Sequence, residues 1–106
     1  MNQSAAETLP DRIVAALRTI HDPEIPVNIY DLGLIYGIEL DPGGKVRITM
    51  TLTSPACPVA RSLPSEVGQK VSALAGVAEA TVRVVWDPPW DPEKMSEAAR
   101  LQLGLL

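Results

Sequence analysis

Apolar residues recur along this chain with two different periods, and the changes of period mark its elements. Ile13, Val14, Leu17 and Ile20 fall at helical spacing. Thr8 is a capping residue with Asp11 three positions on, so an amphipathic helix is expected over residues 9–20. The polar start before it, residues 1–7, has nothing to pack and should fray. His21-Asp22-Pro23-Glu24-Ile25-Pro26 then stops the helix with two prolines that force turn or extended geometry. Val27 to Gly33 connects onward, with Asp31 suited to an Asx-type turn. Beyond it the period becomes two. Leu34 to Leu40 reads as a strand and Asp41-Pro42-Gly43-Gly44 as a reverse turn. Lys45 to Thr53 reads as a second strand, with Val46, Ile48, Met50 and Leu52 on one face and Lys45, Arg47, Thr49, Thr51 and Thr53 on the other. Such alternation describes a sheet packed on one side and wet on the other.

Pro58 opens a second helical pattern, Val59, Leu63, Val67, Val71 and Leu74, which closes at Gly76. Pro64 inside it should bend the helix or split off a first turn. Ala80 to Trp86 is a third strand with Ala80, Val82 and Val84 on one side. Because a helix separates it from the second strand, the two are expected to run parallel through a right-handed crossover. Asp87-Pro88-Pro89-Trp90-Asp91-Pro92 is a stiff exit, and Ser96 caps a last helix through Gln102 to Gly104. The chain is therefore expected to be one α+β domain over residues 1–106, ordered helix-strand-strand-helix-strand-helix. Its mixed three-stranded sheet is covered by helices on one face, with Val46, Ile48, Met50, Leu52, Val82 and Val84 buried together.

Composition narrows the partners. Thirteen acidic residues against nine basic ones give a net charge of -4 with no Lys/Arg cluster, which argues against nucleic acid. No apolar run approaches the length of a membrane span. A single cysteine cannot form an internal disulfide and no charged-then-apolar leader starts the chain, so a cytoplasmic protein is expected.

That cysteine, Cys57, lies in Thr53-Ser54-Pro55-Ala56-Cys57-Pro58, where strand gives way to helix. A thiol at a helix start faces unpaired amides and the positive end of the dipole, which favours the thiolate and hence reactivity or metal capture. Against this stands the tendency of free cysteines to be buried as small apolar groups. One cysteine and one histidine cannot close a four-ligand zinc site within a chain. A soft-metal site must be shared, across a homodimer or with a partner's thiols. It could hold an iron-sulfur cluster or another thiophilic metal, in an open and labile site suited to transfer more than storage. The competing reading is an enzyme in which Cys57 and His21 act as nucleophile and base, oriented by Asp22, Glu24 or Asp31, on a small thioester or amide. No glycine-rich phosphate loop or nucleophile elbow adds to it. Thr53, in the polar row, is either part of a solvated face or a ligand contact. Trp90 either clamps the tail together with Trp86 or faces outward as an anchor for a partner.

Three blocks together resemble the small iron-sulfur cluster assembly domain family typified by SufT-like and PaaD-like proteins. They are Asp22-Pro23-Glu24-Ile25-Pro26-Val27-Asn28-Ile29 running into Tyr30-Asp31-Leu32-Gly33-Leu34-Ile35-Tyr36, then Thr51-Leu52-Thr53-Ser54-Pro55-Ala56-Cys57-Pro58, then Trp86-Asp87-Pro88-Pro89-Trp90 with Met95-Ser96. The similarity covers about residues 9–104. It implies a small α+β domain with a mixed sheet and a non-catalytic factor in maturation of iron-sulfur proteins. The implied partners are iron-sulfur assembly proteins and apo clients. Cys57 matches the family's functional cysteine, and Asp22, Glu24 and Asp31 its acidic motif residues. PaaD-like members carry an additional cysteine-bearing tail that this sequence lacks, which favours the SufT-like general maturation role.

Overall fold

Thr8 starts the first helix, α1 (Leu9–Leu17), through a reciprocal cap in the computed structural model, which describes residues 8–22, 25–53 and 62–104. The Thr8 hydroxyl accepts the Asp11 N–H and the Asp11 carboxylate accepts the Thr8 N–H, both at 3.3 Å. The helix ends three residues earlier than its apolar spacing suggests. Ile20 is buried all the same, but by a loop pairing in which its carbonyl accepts the Ile29 N–H at 2.8 Å.

A hairpin follows, β1 (Ile35–Leu40) antiparallel to β2 (Lys45–Met50). The Asp41 carboxylate closes the turn by accepting the N–H groups of Gly43 at 2.8 Å and Lys45 at 2.9 Å. Helix α2 (Leu63–Ser72) leads to β3 (Glu79–Val84), which pairs parallel to β2, giving the sheet order β1-β2-β3. The expected helix start at Pro58 lies outside the described residues. Pro64 falls in the first turn of α2, where its missing N–H leaves no bond unmade, so it starts the described helix instead of kinking it. A 3-10 turn (Pro92–Lys94) and a short α3 (Glu97–Gln102), capped by the Ser96 hydroxyl on the Ala99 N–H at 3.1 Å, complete the chain.

Register sets the faces. Ile48 stands between Ile38 and Val82, and Val46 between Leu40 and Ala80. This apolar row meets Ile13 and Leu17 of α1 and Val67 and Val71 of α2 in one core, to which the loop adds Ile29, Leu32 and Leu34 and the tail adds Met95 and Ala99. The described helices pack on that face, as the alternation predicts.

Two expectations need correction. Thr51 is fully buried, not wet. The β2 ladder stops at Met50, and beyond it the chain leaves strand geometry, with the Thr51 N–H bonded to the Leu34 carbonyl at 2.9 Å. Val82 and Val84 are only half-buried, because β3 is an edge strand and has a neighbour on one side alone.

Ile48 is completely enclosed at the centre of the central strand. Ile48→Ala is expected to cost about 2–5 kcal/mol, through lost transfer energy and the cavity left behind. Urea unfolding of the two forms measures this, and a loss below about 1 kcal/mol would place the core elsewhere.

Candidate functional site

Parallel strands bring their carboxyl ends to the same end of a sheet, and the loops beyond those ends line a crevice. Here β2 runs out into Thr51–Thr53 and β3 into Val85 and Trp86, beside the start of antiparallel β1. Of the residues singled out from the sequence, Thr53 follows the end of β2, and Asp31 and Trp90 belong to or bind the loop that enters β1. Glu24 and Cys57 lie outside the described residues, so the structure gives neither their positions nor any Cys57–His21 approach. His21 itself is exposed and pairs through its backbone with Asn28 in an isolated antiparallel bridge.

Asp22 and Asp31 are held by the loop that follows α1. Asp22 is buried, and its carboxylate accepts the Ile25 N–H at 3.2 Å. Asp31 is fixed by Asn28, whose amide group donates to the Asp31 carboxylate while its amide oxygen accepts the Asp31 N–H, each at 2.8 Å. The local turn expected at Asp31 is thus made by the side chain three residues earlier. Arg18, just past α1, stands 3.7 Å from the same carboxylate with its guanidinium 5.0 Å from the Tyr30 ring centre. The sequence reading missed Arg18 and Asn28; only the three-residue spacing from Asn28 to Asp31, typical of side-chain to backbone turns, could have pointed to them.

The tail ties this loop down from the other side. The Trp90 indole N–H donates to the Leu32 carbonyl at 2.7 Å, and the Ser96 N–H to the Asp31 carbonyl at 2.7 Å. Trp90 is a half-buried clamp, whereas Trp86 is 48% exposed and makes no side-chain hydrogen bond among the described residues. Gly33 has φ +88, and a Cβ there would stand 2.3 Å from the Lys94 carbonyl oxygen, so only glycine fits where loop and tail cross.

Thr53 is half-buried at the end of the described segment. Near it the Thr51 hydroxyl is sealed from solvent without a hydrogen-bond partner among the described residues, an arrangement that costs stability wherever such a group is left unsatisfied. Tyr36, at the bulge between Ile35 and Gly37, donates to the Pro88 carbonyl at 2.7 Å and lies under the Lys94 ammonium, 5.6 Å from the ring centre. Burial, then the Asp91 carboxylate, raise the Tyr36 pKa above its ordinary 10.0; the Thr51 hydroxyl, near but too loosely placed to count as a bonded partner, acts the other way. Among the described residues no three His, Cys, Asp or Glu side chains gather into a metal cradle.

This order of elements, with the motif at the end of β2, defines a family of iron-sulfur proteins' helpers, and the chain belongs to it: the model of the iron-sulfur cluster assembly protein family matches residues 10–84. Among its relatives, the Fe-S protein maturation auxiliary factor of Porphyromonas gingivalis is 46% identical over 106 residues, spanning 100% of both chains. The Fe-S protein maturation auxiliary factor YitW of Bacillus subtilis is 42% identical over 99 residues, 93% of this chain and 97% of its own. The fold is similar to the crystal structure of a DUF59 domain of unknown function from Bacillus anthracis, with a TM-score of 0.85 and 39% identity over 99% of this chain and 100% of that one.

Two outcomes follow from the clamped loop. Trp90→Phe keeps an aromatic side chain but removes the indole N–H and strands the Leu32 carbonyl, which is expected to cost about 1–2 kcal/mol. Amide exchange should quicken at Asp31, Leu32 and Gly33, and unchanged exchange there would show that the indole bond holds nothing. For Tyr36 the folded pKa exceeds the unfolded one, so its contribution is fully present below pH 10 and is lost as pH rises past that value. The stability difference between the wild type and Tyr36→Phe, measured by denaturant unfolding across the alkaline range, should shrink above pH 10; a constant difference contradicts the assignment.

Proposed function

We infer that this chain is a non-catalytic factor in the maturation of iron-sulfur proteins. Cys57 serves as the thiol that ligates a labile iron-sulfur cluster or iron, or that docks the protein presenting it. The observation that carries this reading is the family match over residues 10–84, which takes in both the Thr53–Pro58 motif that follows β2 in the sequence and the clamped acidic loop. The relatives' names describe auxiliary factors, which supports this role over the hydrolase reading built on Cys57 and His21.

A lone thiolate per chain fits transfer. It fills one position on a thiophilic metal and leaves the rest to donor and client thiols, so cargo can pass by stepwise ligand exchange. Asp31, held in place by Asn28, offers a carboxylate in a fixed position, while the buried Asp22 braces the same loop through the Ile25 N–H; we assign Glu24 to the same acidic set by its place in the motif. We assign Thr53 to the contact surface for cargo or partner, and Trp90 to positioning the acidic loop. Assembly proteins and apo clients are the partners, in the cytoplasm where thiols stay reduced. No helix among the described residues is long and apolar enough to cross a membrane.

Cys57→Ala separates function from folding. Stability is expected to change by no more than about 0.5 kcal/mol, as for a surface substitution, while support for iron-sulfur enzymes in cells lacking the protein is lost. Full rescue by a stably folded Cys57→Ala protein would sink the thiol's role. Anaerobic incubation with iron and sulfide, followed by absorption spectroscopy, then tells a ligand from a docking thiol.

A further inference from the structure

We propose that the free edge of β3 pairs with the same edge of a second copy of this chain. Val85 donates its backbone N–H to the Met50 carbonyl. By the alternation of a strand, Thr81 and Arg83 also turn their backbone groups toward β2, and Ala80, Val82 and Val84 turn theirs outward. No further strand takes those outward groups among the described residues, so β3 presents an open ladder.

The side chains flanking the ladder select the partner. Glu79, Thr81 and Arg83 stand in a row on the face that no helix covers, all three exposed. Among the described residues neither charge makes an ion pair. Two such edges set antiparallel with Thr81 opposite Thr81 bring Glu79 of each copy opposite Arg83 of the other, giving two symmetric ion pairs about one two-fold axis. In that register Ala80 faces Val82 and the outward backbone groups meet as bonded pairs, while the charges occupy the closer, non-bonded positions. The smallest shifts that keep the backbone groups facing set Thr81 opposite Glu79 or Arg83 and lose both pairs.

The helix above the edge leaves room. Lys70 reaches the Thr19 hydroxyl beside α1 at 2.9 Å. At 100° per residue, the opposite flank of α2 carries Ser65, Gly68 and Ser72 and lies toward the free edge. Gly68 sits against β3, where a Cβ would stand 3.6 Å from Val82 Cγ2. With small residues on that flank, the second copy's α2 can lie alongside. The product is a six-stranded sheet. Its symmetry sends the two β2 ends in opposite directions, so the two copies work as separate sites and this pairing does not join two thiols on one cluster.

Sedimentation equilibrium of the whole chain over a concentration series tests the proposal. A monomer-dimer equilibrium is expected, weakened about tenfold by either Glu79→Arg or Arg83→Glu, which set like charges opposite each other. The double exchange should restore it to within about threefold, since the pairs re-form with signs swapped. Thermal melting checks that each variant stays folded. In a Cys57→Ser background, Thr81→Cys should give a disulfide joining position 81 of both copies, since facing non-bonded pairs have a Cα separation within disulfide reach. A monomer at every concentration overturns the proposal. So does association indifferent to both charge reversals, or a dimer that never forms the position-81 disulfide.

Discussion

The one-sided apolar row of the central strand is the constraint from which the rest of the structure follows. Val46, Ile48 and Met50 all face the helices, and their opposite face carries Lys45 and Arg47, whose charges cannot be taken out of water without several kcal/mol of penalty. Helices α1 and α2 must therefore dock on the same side. Because β2 spends its backbone bonds on β1 along one edge and β3 along the other, its register dictates theirs. A slip of one residue in either neighbour would carry Ile38 or Val82 to the wet face.

At the far end of that strand the organising force changes from apolar burial to polar fixation. The acidic loop is tied to the end of α1 through the Ile20–Ile29 bond and to the tail through Trp90 and Ser96, while Asn28 orients Asp31 within it. Such anchoring holds the Asp31 carboxylate in one geometry, so its ordering entropy is already spent in the fold. The buried, unpartnered Thr51 hydroxyl is the one place here where polar satisfaction fails among the described residues.

What the sequence revealed and what it hid divide along the range of the interactions concerned. The Thr8–Asp11 box, the Asp41 turn and the alternation of β2 are local signals, and the structure contains each of them. The parallel pairing of β3 was also readable, since a helix lies between it and β2. Thr51 was not. Alternation continued past Met50 on paper, but the ladder ends where β1 begins, a fact of pairing that no single strand carries. Likewise Trp86 and Trp90 look alike in sequence, yet among the described residues only Trp90 finds a carbonyl within reach, that of Leu32, in a loop far away along the chain. Arg18 and Lys94 are ordinary surface cations until the fold sets Tyr30 and Tyr36 beneath them.

The parallel crossover has a further consequence for how the protein comes into being on the ribosome. The β1–β2 hairpin joins neighbouring residues, but every rung between β2 and β3 joins positions on opposite sides of α2. A hairpin alone is marginal in water, and pairing across such a distance is slow because the loop must close before it gains any contact. During vectorial synthesis the connection bearing Cys57 is therefore made, and exposed, before the strand that locks the sheet has emerged. The tail that fixes the acidic loop arrives later still. The thiol thus leaves the ribosome before the strand and the tail that complete the described fold.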